Sequence, residues 1–96
     1  MEQYFEWDAV KNERNIEKHG INFADAIKLF AEEYMSYLSP RNNEERMVGI
    51  GRVGDRTIAV TYTMRESNIR IISARIARRK ERELYMQWSK KDKNNE

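Results

Sequence analysis

The sequence predicts an α+β fold in which a small antiparallel sheet is joined by two N-terminal helices and one C-terminal helix. Three observations support this prediction. Apolar residues recur at helical spacing between residues 23 and 31. Residues 47–77 instead alternate with a period of two and contain turn residues that divide them into three strands. The segment from residue 78 onward is dense in charge but keeps the apolar stripe of an amphipathic helix.

The composition is that of one small globular domain. The chain has 96 residues, of which 40% are hydrophobic and 35% are charged, enough for one modest core. Cysteine is absent, so disulfides and thiolate metal sites are excluded. The acidic N-terminus does not resemble a signal peptide, and no apolar run is long enough to span a membrane. We therefore expect a single cytoplasmic domain over residues 1–89, followed by a polar tail over residues 90–96.

Charge is distributed unevenly along the chain. Residues 1–45 carry a net charge of −5, whereas residues 46–96 carry a net charge of +7. This asymmetry predicts a basic surface in the second half of the chain, suited to a polyanion such as nucleic acid. Solvated faces and internal ion pairs explain such a pattern equally well, so the charge distribution alone does not decide.

The first elements are indicated mainly by the residues at their ends. An aromatic-rich segment at residues 4–7 predicts a short strand, and Asp8 is suited to cap the helix that follows. Gly20 can adopt the left-handed conformation that ends this helix, and Asn22 is suited to cap the next one. The second helix is predicted to bury a stripe formed by Phe23, Ala26, Ile27, Phe30 and Ala31.

The strand-forming region begins with a strand at residues 34–38 and continues as a hairpin. Gly54 and Asp55 form a two-residue turn that places Val53 opposite Arg56. This register assigns alternate residues to one face of the sheet. That face, which we predict to be the core face, contains Met47, Gly49, Gly51, Ile58, Val60, Tyr62 and Met64.

A third strand at residues 69–77 determines where the arginines of this region lie. If the preceding loop has an even number of residues, Met64 lies opposite Ile69 and Arg70 lies on the face opposite the core; an odd loop reverses this. In the even register we expect a basic concavity on that face, a surface suited to phosphate. The arginines that we expect to converge there are Arg46, Arg52, Arg65 and Arg70, with Arg78 and Arg79 at the rim.

The last helix is predicted over about residues 78–88. Its first turn is rich in arginine and lysine, which oppose the helix dipole unless an anion binds there. This conflict favours a functional interpretation of the basic residues. The alternative is a solvated helix in which Glu81 and Glu83 partly compensate the positive charges.

Two blocks of the sequence resemble a known family. KHGINFADA, at residues 18–26, and RIISARIARRKERELY, at residues 70–85, are similar to blocks of the BrnT ribonuclease toxins of bacterial type II toxin-antitoxin systems. The similarity extends over residues 5–85. Relatives often have Thr or Ser where this chain has Arg78, so we expect the last helix to lack a side-chain N-cap.

The resemblance implies a fold, an activity and a partner. The fold would be RelE-like, and the domain of residues 1–89 would be a toxin that cleaves RNA and inhibits growth. Its partner would be a small ribbon-helix-helix antitoxin that binds operator DNA and forms a hetero-oligomer with the toxin. A non-enzymatic module of the same fold, which binds RNA or inhibits a protein, is the alternative.

RNA cleavage without a metal requires a base for the 2′-hydroxyl, an acid for the leaving 5′-oxygen and cations for the phosphate. His19 lies at a helix C-terminus, which favours its charged form and suits it to act as the acid or to hold phosphate. A polar cap of that helix is the structural alternative. Glu45, beside Arg46, is the candidate base, preferred to Glu44 only by the resemblance; a loop salt bridge is the alternative.

Two arginines of the last strand are further catalytic candidates. Arg70 and Arg75 are five residues apart, so on a regular strand their side chains face opposite sides. We expect Arg70 to face the phosphate and Arg75 to pair with acidic residues of the early helices. No cofactor or metal site is expected, because the acidic residues lack convergent ligand spacing. The candidate RNA-binding residues are Arg46, Arg52, Arg65, Arg78, Arg79 and Lys18.

Overall fold

Five strands form one sheet in the computed structural model, which describes residues 3–94. The strands are β1 (Phe5–Glu6), β2 (Tyr34–Leu38), β3 (Met47–Val53), β4 (Arg56–Arg65) and β5 (Asn68–Ile76). Their spatial order is β1-β5-β4-β3-β2. Pairing is antiparallel throughout except that β1 runs parallel to β5 at one edge. The α+β class is confirmed and the sheet is mainly antiparallel. The parallel pairing of β1 was not predicted, because β1 joins the last strand and not its neighbour in the chain.

The helices begin and end largely where the sequence indicates. They are α1 (Ala9–His19), α2 (Phe23–Ala26), a 3-10 helix (Ile27–Ala31) and α3 (Arg79–Asn94). A carboxylate oxygen of Asp8 accepts the Lys11 N–H at 3.0 Å, as expected of an N-cap. Gly20 has φ +70° and ends α1 with an N–H donated to the Ile16 carbonyl at 2.8 Å.

The second helix is shorter and tighter than expected. After a single α-helical turn it continues as the 3-10 helix, in which side chains three residues apart lie above one another. The fully buried residues are therefore Phe23, Ala26 and Leu29, while Ala31 is exposed. The prediction omitted Leu29 and included Ala31 because it assumed a period of 3.6 throughout.

The early helices pack on the predicted core face of the sheet. The register places Val53 opposite Arg56 and Met64 opposite Ile69, as predicted. Met64 lies at the end of β4 and is exposed, contrary to the prediction. The buried core between helices and sheet includes Ile21, Phe23, Leu29, Ile58, Val60, Tyr62 and Ile71.

The other face of the sheet, called here the open face, is covered only in part. α3 crosses it and packs Tyr85 against a small cluster formed by Val48, Ile50, Ala59 and Ala77. α3 continues to Asn94, so the end expected near Trp88 was too early. Residues 95–96 of the predicted tail lie outside the described residues.

A β-bulge places two arginines of β5 on the same face. The pairing of β4 with β5 shifts by one residue between Thr61 and Tyr62, which leaves Ile72 as an extra residue in β5. Side chains separated by an odd number of positions across the bulge therefore point to the same side. Arg70 and Arg75 both lie on the open face, and the expectation of opposite faces was wrong because it assumed a regular strand.

Candidate active site

A basic pocket of about 460 Å³ lies on the open face, beside the start of α3. Five parts of the chain form it: the end of α1, the hairpin of β2 and β3, the strands β4 and β5, and the residue before α3. Among the described residues, no carboxylate side chain lines it. The basic lining residues are Lys18, His19, Arg41, Arg46, Arg75 and Arg78. The hydroxyl groups between them belong to Tyr37, Ser39, Thr61 and Ser73.

The β2–β3 hairpin brings Arg41 and Arg46 to the pocket. Arg41 and Glu44 exchange backbone hydrogen bonds of 3.0 and 2.9 Å around a tight turn. The two central residues, Asn42 and Asn43, have φ of +51° and +62°. Asparagine tolerates this left-handed conformation better than most residues, so the polar loop closes into a turn that holds both arginines.

The end of α1 is fixed to the sheet by a buried asparagine. The Asn15 side-chain amide donates to the carbonyls of Ile21 and Ala74 at 2.9 and 2.8 Å. Its oxygen accepts the Ala74 N–H at 3.1 Å. Asn15 therefore pairs with β5 beyond the end of the short strand β1, as another strand would. This anchor holds Lys18 and His19 over the pocket.

The environment of His19 favours the neutral imidazole. Burial lowers the pKa of His19, and the positive charges of Lys18 and Arg75 lower it further. We expected the helix C-terminus to favour the charged form of His19, but burial and the neighbouring cations lower its pKa instead. A neutral imidazole in the pocket can accept a proton near neutral pH.

Arg75 is held by a buried carboxylate of α3. Its two terminal nitrogens donate to the two carboxylate oxygens of Glu81 at 2.7 and 3.0 Å. Glu81 also accepts the Tyr37 hydroxyl at 2.7 Å and the Arg78 N–H at 2.7 Å. Burial would raise the pKa of Glu81, but these hydrogen bonds lower it to about 2. Arg75 thus pairs with α3, and the expected pairing with the early helices was wrong.

The carboxylate beside Arg46 is Glu44. Arg46 Nε donates to Glu44 Oε1 at 2.7 Å, and this hydrogen bond lowers the pKa of Glu44. Glu45, which the resemblance favoured as the base, is exposed. Its backbone oxygen accepts the hydroxyl of Thr63 at 2.7 Å. The side chain of Glu45 does not line the basic pocket. The catalytic role of Glu45 stays a prediction.

Arg70 lies on the open face but outside the basic pocket. Its guanidinium donates to Glu6 on β1 at 2.9 Å, and both side chains are partly buried. The carboxylate comes from the neighbouring edge strand, which pairs Glu6 directly with Arg70 in the sheet register. Arg70 therefore forms an ion pair with Glu6 across two neighbouring strands. Its predicted contact with phosphate stays a prediction.

The remaining predicted RNA-binding arginines lie elsewhere. Arg52 lines a second cavity, of about 450 Å³, together with residues of α3. Arg65 is exposed at the end of β4, and Arg79 is exposed and pairs with Glu83 at 3.1 Å. Arg52 does not converge with Arg46 as expected, because six residues of strand separate the two by about 20 Å. Arg65 lies nearer to Arg46, since its charge lowers the pKa of Glu44, the carboxylate that Arg46 bonds. The contacts of Arg52, Arg65 and Arg79 with RNA stay predictions.

Metal-ligand clusters and membrane-spanning helices are both absent from residues 3–94. No group of three or more His, Cys, Asp or Glu side chains in this part of the chain is arranged to hold a metal ion. None of its helices is both long enough and apolar enough to cross a membrane.

Most of this chain matches the model of a known protein family. The family model of the ribonuclease toxin BrnT, of type II toxin-antitoxin systems, matches residues 7–81. The chain belongs to the BrnT family of ribonuclease toxins. The crystal structure of the Brucella abortus ribonuclease toxin BrnT is similar, with a TM-score of 0.63 and 30% sequence identity over 81% of this chain and 100% of that one. No curated protein sequence matches the chain.

Membership of the BrnT family establishes the broad function. The chain is the toxin of a type II toxin-antitoxin system, and its activity is that of an endoribonuclease. RNA is therefore its substrate, and a cognate antitoxin is its partner. The α+β structure with five strands and three helices agrees with the BrnT structure.

Arg41 and Tyr37, which line the pocket of this BrnT toxin, and Glu81, which bonds Arg75 behind the pocket wall, were not predicted as site residues. Glu81 had a signal: it is the third residue of α3, the position from which a glutamate reaches back to the N-cap N–H in a capping box. It bonds the Arg78 N–H in this way, although Arg78 itself offers no capping oxygen. Tyr37 and Arg41 had none, because only the fold brings the hairpin beside β5 and α3.

Proposed function

We propose that the basic pocket is where this toxin cleaves RNA, by attack of a ribose 2′-hydroxyl on the adjacent phosphate without a metal ion. The observation that supports this most directly is the meeting of six basic side chains from four parts of the chain around one cavity. Binding of a phosphodiester in such a cavity is favourable for two reasons. Guanidinium groups bind phosphate oxygens, and counterions are released from the RNA.

The roles of the pocket residues follow from their chemistry. His19 takes the proton of the 2′-hydroxyl, because it is the pocket side chain whose lowered pKa leaves it neutral near pH 7. Arg75 and Arg46 stabilise the extra negative charge on the phosphate as the 2′-oxygen bonds to phosphorus. Lys18 and Arg78 hold the neighbouring phosphates. The bond to the 5′-oxygen breaks, that oxygen takes a proton from water, and a 2′,3′-cyclic phosphate remains.

The charge of the pocket supports a metal-independent reaction. Its basic side chains would repel a divalent cation, and its lining offers no carboxylate ligand within the described residues. The carboxylates that contact the lining arginines, Glu44 and Glu81, are already paired with Arg46 and Arg75. Guanidinium groups here supply the positive charge that a metal supplies in two-metal nucleases.

Cleavage of a labelled RNA by the purified toxin in the presence of EDTA tests this proposal. We expect products with 2′,3′-cyclic phosphate and 5′-hydroxyl ends. Arg75→Ala should lower the single-turnover rate by roughly a hundredfold to a thousandfold, the effect of removing a group that stabilises the transition state. Activity that requires Mg²⁺, or binding without cleavage, would contradict the proposed chemistry.

The matched control is Arg70→Ala. Arg70 is an arginine of the same strand and face, also paired with a glutamate, but outside the basic pocket. The pocket predicts a much smaller loss of rate for Arg70→Ala than for Arg75→Ala. The reverse order, with both variants folded, would move the reaction to Arg70, the residue that the sequence analysis favoured.

We also infer that the antitoxin is a ribbon-helix-helix protein that binds operator DNA. The toxin and antitoxin form a hetero-oligomer in the cytoplasm, and the toxin fold is RelE-like. The resemblance of residues 18–26 and 70–85 to BrnT blocks supports these inferences. Co-expression with the product of the adjacent downstream reading frame tests them. Neutralisation of the toxin, co-purification and operator binding by the complex are expected; a product that fails to bind the toxin would refute the assignment.

A further inference from the structure

Glu81 is a buried carboxylate that the reaction above does not use directly. The residue is only 7% exposed, and its two oxygens accept four hydrogen bonds. Two come from Arg75, one from the Tyr37 hydroxyl and one from the Arg78 N–H. Both partner side chains, Arg75 and Tyr37, also line the basic pocket. The carboxylate therefore lies directly behind one wall of the pocket.

We propose that Glu81, supported by Tyr37, positions Arg75 for phosphate and so sets the rate of cleavage without touching RNA. This inference rests on the proposed function of the basic pocket. Glu81 is thus a positioning residue, whereas Arg75 is the catalytic residue that contacts the reacting phosphate.

The geometry of the Arg75–Glu81 pair supports a positioning role. Two parallel hydrogen bonds between a guanidinium and a carboxylate fix both the distance and the plane of the guanidinium, which a single contact cannot do. A free arginine side chain has many rotamers, and holding one in place before RNA binds removes that entropic cost from the reaction. A guanidinium also has more N–H donors than one carboxylate can accept, so Arg75 retains donors for a phosphate.

Tyr37 fixes the carboxylate itself. Its hydroxyl donates to the same Glu81 oxygen, Oε2, that accepts one of the Arg75 nitrogens. Tyr37 belongs to β2, Arg75 to β5 and Glu81 to α3, so the three groups join three elements of the fold at the pocket wall. The hydrogen bonds also keep Glu81 ionised, with a pKa of about 2. Its hold on Arg75 therefore persists at neutral pH.

A structural role is the alternative, because Glu81 also caps α3 through the Arg78 N–H. The two roles differ in how their effects combine. If Glu81 acts through Arg75, its substitution lowers the rate only while Arg75 is present. If it only stabilises the fold, its substitution has the same effect with or without Arg75.

The test is a double-mutant cycle of single-turnover RNA cleavage with Glu81→Gln, Arg75→Ala and the double variant. We expect Glu81→Gln to lower the maximal rate by roughly tenfold to a hundredfold, the effect of displacing a catalytic group, with little change in the half-saturating RNA concentration. In the Arg75→Ala background it should lower the rate no further. Equal losses in both backgrounds, or an unchanged rate in Glu81→Gln alone, would overturn the inference.

Two further variants make the outcome independent of folding. Glu83→Gln removes the same charge from the same helix at an exposed ion pair, so its rate should stay within about twofold of the wild-type rate. Tyr37→Phe removes one hydrogen bond to Glu81 and keeps the ring, so it should lower the rate less than Glu81→Gln does. If Glu81→Gln does not fold by circular dichroism, an unchanged rate in Tyr37→Phe overturns the inference.

The same data separate this inference from the proposed function. If Arg75→Ala retains the full rate, the basic pocket is not the reaction site and both proposals fail. If Arg75→Ala is inactive while Glu81→Gln cleaves normally, the pocket stands and only the positioning role of Glu81 fails.

Discussion

Asn15 shows how one buried residue holds the end of a helix against the sheet. It bonds both backbone groups of Ala74 on β5 and so anchors the last turns of α1, where His19 lies. Asn15→Ala leaves these groups buried without partners, and we expect the free energy of unfolding to fall by about 2 to 3 kcal/mol. Urea denaturation measures this change, with Glu13→Ala on the exposed side of α1 as the control. Equal, small losses in both variants would contradict the anchoring role.

The lowered pKa of Glu81 predicts how the free energy of unfolding depends on pH. Its pKa lies at about 2 in the folded protein against 4.5 as the ordinary value. A lowered folded-state pKa contributes stability that is complete above pH 4.5 and is lost as the pH falls from there toward 2. The contribution is on the order of 3 kcal/mol.

The difference in unfolding free energy between wild type and Glu81→Gln isolates this effect from other carboxylates. We expect that difference to shrink as the pH falls from 4.5 toward 2, as measured by urea denaturation at several pH values. A difference that stays constant across this range would mean that Glu81 ionisation does not stabilise the fold.

The lowered pKa of His19 predicts how RNA cleavage depends on pH. A base must be neutral to accept a proton, so kcat/KM should fall as the pH drops through the pKa of His19 in the free toxin. Because burial and nearby cations lower this pKa, the midpoint should lie below 6.5. His19→Gln should remove this limb of the profile along with most of the activity. A midpoint above 6.5, or an unchanged limb in the variant, would exclude His19 as the base.

At the scale of elements, two glycines of β3 test how the 3-10 helix packs on the sheet. A Cβ at Gly51 would lie 3.0 Å from Leu29 Cγ and 3.2 Å from Tyr34 Cβ, whereas a Cβ at Gly49 would have no neighbour closer than 3.4 Å. We expect Gly51→Ala to lower the free energy of unfolding by about 1 to 2 kcal/mol through overpacking.

Gly49→Ala is the matched control for this packing. It adds the same methyl group to the same face of β3, two residues away, and should change the unfolding free energy by less than about 0.5 kcal/mol. Thermal or urea unfolding of the two variants gives the comparison. Equal effects would show that Leu29 adjusts easily and that the contact at Gly51 is loose.

Elements whose ends carry strong local signals could be predicted from the sequence. Asp8 and Gly20 bound α1 as expected, and the turn at Gly54 and Asp55 determined the register of β3 with β4. Irregular features could not be predicted, because they depend on tertiary packing. The extra residue Ile72 in β5 and the change from α-helical to 3-10 geometry are of this kind.

At the scale of the whole molecule, the site is assembled from parts that are distant in sequence. The candidates Lys18, His19, Arg46, Arg75 and Arg78 were all named from the sequence and all line the basic pocket. Their grouping in one pocket was not predicted. The β-bulge turns the Arg75 side chain to the open face, and α3 crosses that face, which was expected to be uncovered. Residue types therefore indicated a nucleic-acid site, while its location depended on the path of the chain.

The central claim is that the scissile phosphate of RNA binds in the basic pocket, and a crystal structure with a short RNA tests it most directly. A fully 2′-O-methylated RNA lacks the attacking hydroxyls, so the proposed reaction cannot cleave it. We predict a phosphate within hydrogen-bond distance of the guanidinium groups of Arg75 and Arg46, with His19 beside the adjacent 2′-oxygen. RNA bound at Arg70 or Arg52, with the basic pocket empty, would contradict the account.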